Sequence, residues 1–224
     1  MRQTALVTGA SGGIGMDLAW VLAEHGYDLV LAARSFGVLQ TLASDIASKH
    51  GVTATPIEID PSNPGAPRQL YDAVTPSGIS VDVLINNAGF GALGRFDRMD
   101  EGRIDGMIQV NVTSLTALAR LFLPAMVERG RGRVMNVAST AAFQGGPYMA
   151  VYYASKAYVL SLSEALSEEL RRTGVTVTAL CPGPTRTKFA EAAQMSMTKL
   201  FNTPFIMDSR TVARYGYDAM MRGQ

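Results

Sequence analysis

Residues 4–26, TALVTGASGGIGMDLAWVLAEHG, decide the architecture. Thr4 to Thr8 is a short apolar, β-branched run, the pattern of a buried strand. Gly9-Ala10-Ser11-Gly12-Gly13-Ile14-Gly15 follows at once, and from Met16 the apolar spacing turns helical until Gly26. Strand, glycine loop and helix in that order form the context a phosphate-binding turn requires. Glycines let the backbone turn tightly and approach a pyrophosphate, whose charge meets the N–H groups and dipole of the helix N-terminus. Gly9, Ser11, Gly13, Ile14 and Gly15 are therefore candidate contacts to a dinucleotide. The spacing T-G-x-x-x-G-x-G departs from the common fingerprint in its first interval.

The alternation of strand and helix continues downstream. Residues 28–33 read as a second strand, followed by Arg34, Ser35 and a helix to about His50. Where NAD-preferring folds place an acidic residue for the ribose hydroxyls, this chain has Ala33 and then an arginine. A cation before a helix opposes the macrodipole, so fold stability gives no reason for Arg34. A 2′-phosphate does: a guanidinium fork matches phosphate oxygens and Ser35 adds a hydroxyl. The expected cofactor is NADP(H) in preference to NAD(H). Residues 52–59 form the third strand, with Asp60 at its end near the expected adenine edge. Residues 81–85 form the fourth, ending in Asn86-Asn87-Ala88-Gly89. Asn87, Ala88 and Gly89 fit the cofactor's ribose and adenine side, whereas the Asn86 amide reads as a tie between strand ends.

Residues 103–129 carry helical apolar spacing, with Asn111 in mid-helix, where Asn is a poor former and a buried amide needs partners. A kink with the amide, or a water, turned toward a catalytic face would account for it. Next comes STAAFQGGPYMAVYYASK, residues 139–156, between an apolar strand and a long helix. Tyr152 and Lys156, four apart, share one helix face. A free phenol titrates near ~10, and bringing it near 7 takes ~3 units, roughly 4 kcal/mol. A cation within about 4–6 Å acts in that direction. Ser139, at the strand's end, is placed to hold a substrate oxygen. Tyr153 lies about 100° around the helix and reads as packing or subunit contact. Cys181 reads as a small buried hydrophobe with no cationic neighbour.

Composition bounds the function. With 224 residues, 47% of them apolar, the chain is long enough for one domain with a well-buried core. Twenty Lys and Arg against 19 Asp and Glu give no electrostatic case for nucleic acid. One cysteine and two histidines leave no disulfide framework and little to build a metal site from. The chain enters a strand within its first residues, with no room for a signal peptide, and no apolar run reaches the ~20 residues of a membrane helix. A cytoplasmic globular protein without a membrane segment is expected.

Taken in order, the glycine loop, Asp60, Asn86-Asn87-Ala88-Gly89, Asn111, Ser139, Tyr152, Lys156 and Pro182-Gly183 make the chain resemble a short-chain dehydrogenase/reductase over nearly its whole length. The resemblance implies a single-domain Rossmann-type α/β fold spanning residues 1–224, a doubly wound parallel sheet in the order 3-2-1-4-5-6. It also implies a catalytic tetrad of Asn111, Ser139, Tyr152 and Lys156, with Tyr152 moving a proton and Lys156 lowering its pKa and binding the nicotinamide ribose. Asn111 would hold a water linking Lys156 to solvent. Pro182, Gly183, Thr185 and Thr187 would hold the nicotinamide end. Residues 189–207, rich in Met and aromatics, read either as core or as part of a substrate lid at 186–210. The family's usual seventh strand is missing from this chain. The implied function is carbonyl/secondary-alcohol interconversion on a hydrophobic small-molecule substrate, a 3-oxoacyl or steroid-like ketone, by a homodimer or homotetramer. The alternative is a dinucleotide-binding regulatory or structural subunit without turnover.

Overall fold

The structure, a computed structural model, describes residues 2–75, 78–187 and 206–224. Six strands form one parallel sheet: β1 (Thr4–Thr8), β2 (Asp28–Ala33), β3 (Ala54–Glu58), β4 (Val81–Asn86), β5 (Gly132–Val137) and β6 (Val175–Leu180). Their spatial order is β3-β2-β1-β4-β5-β6, and every pairing is parallel. The order reverses direction between β1 and β4, which opens a crevice at the strands' C-terminal ends.

Strand periodicity divides the apolar side chains between two cores. Val7, Leu29, Leu31, Val83, Ile85 and Met135 pack with α1 (Gly13–Glu24) and α2 (Phe36–His50). The alternate residues Leu6, Val30, Leu84 and Val134 pack against Leu70 of α3 (Ala66–Val74) and against Leu118, Phe122 and Met126. Those last three lie on α5 (Leu115–Glu128), which continues α4 (Glu101–Ile108) through a π turn at Gln109–Ser114. The irregularity that Asn111 suggests is thus a π turn. The whole span Glu101–Glu128 is long and apolar enough to cross a membrane, which corrects the reading that no run reaches that length. Half of its most apolar window is buried, with Leu118, Phe122 and Met126 in the core, the pattern of a core helix of a globular domain.

Helix α6 (Ala150–Glu169) follows β5, and α7 (Ser209–Arg222) is capped by the Asp208 carboxylate, which accepts from Thr211 N–H at 2.8 Å. The expected lid at 186–210 falls mostly on residues 188–205, outside the described residues. Its flanks, β7 (Thr185–Arg186) and β8 (Met207–Asp208), pair in parallel as a small second sheet.

A sheet covered on both faces must satisfy its polar side chains internally. Asn86 Nδ2 donates to Asn136 Oδ1 at 2.9 Å, and Asn136 Nδ2 donates to Ser163 Oγ on α6 at 2.9 Å. Asn136 is fully buried. Replacing it with Ala strands the Asn86 Nδ2 group and removes one bond from the Ser163 hydroxyl, which keeps Val159 C=O, and urea unfolding is expected to show a loss of about 2 kcal/mol.

Candidate active site

The strands' C-terminal ends open onto a cleft of ≈ 780 Å³ running from Arg34 and Ser35, past the glycine loop, to Ser139, Tyr152 and Lys156. At its centre Thr8 joins the two strands flanking the crevice. Its hydroxyl donates to Ile85 C=O at 3.2 Å and accepts from the N–H groups of Asn87 and Ala88 at 3.0 and 3.1 Å. Asn87 Nδ2 in turn donates to the carbonyls of Thr8 and Gly9 at 2.9 and 3.3 Å. The side-chain and backbone N–H groups of Asn87 are therefore spent on shaping the loop.

The loop leaves no room for a side chain at Gly9, Gly13 or Gly15. A Cβ on Gly15 would lie 2.3 Å from Asn87 Nδ2 and 2.5 Å from Gly9 O. Gly9 and Gly13 adopt φ of +66° and +54°, and a Cβ on Gly13 would meet Thr187 Cγ2 at 2.9 Å. Thr187 thus rests on the phosphate loop. Among the described residues, a Cβ at Gly12 would meet nothing within 4 Å, and no side chain caps or acidifies the first turn of α1. An open, uncapped helix N-terminus behind a glycine cradle fits the pyrophosphate of a dinucleotide.

At the end of the cleft away from Tyr152, Arg34 and Ser35 are exposed on the rim. Ser35 is the N-cap residue of α2 by position, yet its side chain makes no capping bond. Burial raises the Asp60 pKa, but bonds from Ser62 N–H and Oγ, at 3.0 and 2.8 Å, and the Arg34 charge hold the carboxyl below its ordinary value. Ala88, Gly89, Pro182, Gly183 and Thr185 line the cleft between the two ends.

At the other end, Tyr152 is 9% exposed, and the Ser139 hydroxyl beside it favours its phenolate. Ser139 Oγ also accepts from Ala141 N–H at 3.1 Å. Lys156, 5% exposed, donates to Val137 C=O at 2.7 Å, and its Nζ sits 5.8 Å from the Tyr152 ring centroid. Asn111 Oδ1 accepts from Phe90 N–H at 3.0 Å, while its Nδ2 donates to Phe90 C=O at 2.9 Å and Ser155 Oγ at 3.0 Å. A Cβ on Gly89 would lie 3.1 Å from Asn111 Oδ1 and 3.4 Å from Lys156 Nζ, so Gly89 keeps open the space between them.

The electrostatics correct one expectation. Burial raises the Tyr152 pKa, outweighing the lowering by the Ser139 bond, with Tyr153 pushing it further up. Burial likewise lowers Lys156 to about 8. Desolvation here disfavours the charged form of each partner, so the phenol's pKa lies above its ordinary value and not below it.

A profile of the family described as short chain dehydrogenase matches residues 3–197. The chain belongs to the short-chain dehydrogenase family. It is 36% identical over 221 residues to an uncharacterized oxidoreductase of Myxococcus xanthus, covering 99% of this chain and 85% of that protein. It is 36% identical over 184 residues to the ketoacyl reductase HetN of a Nostoc species, covering 81% of this chain and 63% of that one. To the very-long-chain 3-oxoacyl-CoA reductase of Homo sapiens the identity is 32% over 205 residues, covering 89% and 64%. The chain spans less than two thirds of the length of those last two relatives. A short-chain dehydrogenase from Sphingobium yanoikuyae in complex with NADPH superposes with a TM-score of 0.92 at 32% identity, covering 99% of this chain and 85% of that one. A family member from Burkholderia phymatum in complex with NAD gives 0.88 at 27% identity, covering 99% and 86%. As a short-chain dehydrogenase the chain is a dinucleotide-binding oxidoreductase acting on alcohol and carbonyl groups.

Sequence reasoning missed several residues of this short-chain dehydrogenase's site. Tyr153, read from the sequence as packing or subunit contact, does pack, its ring 6.0 Å from that of Tyr152 and seated on Gly146, and it also lines the cleft. Thr8, Phe90 and Ser155 act through bonds across 79, 21 and 44 residues of chain, separations no local pattern reveals. Cys181 does have a cationic neighbour, Lys156, although burial pushes its thiol up.

The lysine's burial makes stability pH-dependent. Its folded pKa of about 8 lies below its ordinary 10.5. Between these values the unfolded chain binds more protons, so stability rises with pH. In the absence of dinucleotide, stability is expected to climb from about pH 8 to about pH 10, by an amount on the order of 3 kcal/mol. Replacing Lys156 with Met should flatten that segment of the profile, as read by denaturant midpoints at each pH.

Proposed function

We propose that the protein interconverts a hydrophobic ketone and its secondary alcohol using NADP(H). The observation that carries this reading is the convergence of Tyr152, Ser139 and Lys156 at one end of a cleft whose other end is a glycine cradle. Ser139, beside the phenol, orients the substrate oxygen. A bound nicotinamide dinucleotide supplies hydride to the carbonyl carbon or accepts it from the alcohol. Tyr152, its pKa raised by burial, is protonated at neutral pH and ready to protonate the carbonyl oxygen. The Lys156 ammonium, one helical turn away, would offset the phenolate left behind and would hold the nicotinamide ribose when the dinucleotide is bound. Asn111, its amide engaged by Phe90 and Ser155, holds the π turn beside Lys156, where a water would relay protons.

NADP(H) is favoured by Arg34 and Ser35 on the rim, by Ala33 where an acid would select NAD, and by the NADPH-bound Sphingobium neighbour. An apolar substrate is supported by Phe90, Met149 and Tyr153 around the phenol and by relatives named as 3-oxoacyl and ketoacyl reductases. A homodimer or homotetramer, built on the exposed Ile108, Val127 and Tyr158 of α4, α5 and α6, completes the reading.

Replacing Tyr152 with Phe is expected to lower kcat about 10²–10⁴-fold while NADPH affinity by fluorescence titration stays nearly unchanged. Retained turnover would overturn the assignment. In wild type, NADPH binding with no oxidation across a panel of ketones would point instead to a regulatory subunit. Replacing Arg34 with Ala should raise KM for NADPH by about 10- to 100-fold, the loss of a charge-assisted bond, and leave KM for NADH little changed.

A further inference from the structure

Ser155 lies between Tyr152 and Lys156 on α6, 4% exposed, and faces away from the cleft lining. Its hydroxyl donates to Tyr152 C=O at 2.7 Å. That spends its one proton, so toward Asn111 it acts only as an acceptor, and the 3.0 Å contact fixes Nδ2 on that side. Asn111 is 1% exposed, and both amide hydrogens are spent, one on Phe90 C=O and one on Ser155. Its Oδ1 is left on Phe90 N–H and on the space bordered by Gly89 and Lys156 Nζ. A single hydroxyl therefore couples three segments: the loop after β4, the π turn, and the helical turn bearing the phenol and the ammonium.

We propose that Ser155 is a positioning residue for the reaction assigned above, locking the Asn111 amide and the π turn to the turn of α6 that carries Tyr152 and Lys156. The inference rests on the oxidoreductase reading of the site. A hydroxyl is required there because the position must accept from an amide and donate to a carbonyl at once. An alanine strands one Asn111 N–H in a site closed to water and frees the π turn from α6. The spacing of Lys156 from the phenol and from the Asn111 oxygen then loosens. The charged and titratable groups facing the pair among the described residues are Tyr153 from α6 and Cys181 after β6. The π turn and residues 89–90 bring none, so a shift in the pair's titration reports their geometry.

The test compares wild type with Ser155→Ala, Ser155→Thr and Ser155→Cys in NADPH-dependent reduction of whichever ketone wild type turns over. Ser155→Ala is expected to lower kcat about three- to tenfold, with both KM values within about twofold. The limb of its kcat–pH profile should move by about half a pH unit or more, and Ser155→Thr should restore both. Wild-type kcat and pH profile in Ser155→Ala, with or without a lower Tm, overturns the proposal. If Ser155→Ala fails to fold, Ser155→Cys decides: a reduced kcat with a displaced profile supports the role, and wild-type behaviour overturns it. A wild type that binds NADPH and reduces no ketone would instead overturn the functional reading itself.

Discussion

The hydroxyl of Thr8 holds the crevice together. A doubly wound sheet has one place where neighbouring strands leave in opposite directions, and there no crossover helix covers the strand ends. Thr8 bridges that place with three bonds to residues 85–88, and Asn87 returns two bonds to the loop beyond β1. The glycine cradle is shaped by this stitching as much as by its own glycines, because the crowding at Gly9 and Gly15 comes from the Asn87 amide. Cofactor platform and strand junction are one piece of structure.

Beyond that junction, the interior is organised by the need to satisfy buried amides. Asn86, Asn136 and Ser163 run a polar line from the sheet into α6, and Asn111 and Ser155 run a second one beside it. Both lines end on the helix that carries Tyr152 and Lys156. A buried network of this kind contributes modest net stability but fixes one arrangement, since each broken bond leaves an orphaned group. The ammonium of Lys156 bears the cost of this rigidity, being held out of water against the Val137 carbonyl.

Much of this was legible in the sequence because it is local or periodic. Alternating apolar runs gave the six strands, and the glycine loop gave its own position at the end of β1. The i, i+4 spacing of Tyr152 and Lys156 needed only a helix to bring them onto one face. The π turn showed only as an awkward Asn111, since an inserted residue in a helix leaves no pattern of its own. Thr8, Phe90 and Ser155 were illegible because their partners lie far along the chain. The direction of the Tyr152 shift is illegible for a related reason: a cation four residues on is visible in the spacing, whereas the depth of burial that raises the phenol is not.

The short parallel pairing of β7 with β8 carries a consequence for how such a scaffold diversifies. The chain departs at Arg186 and comes back at Met207 between residues already held side by side. Lengthening the excursion between two such anchored points costs little, about 0.6 kcal/mol per doubling of its length. The sheet, the glycine cradle and the helix bearing Tyr152 and Lys156 are therefore insulated from a change of length between those two anchors.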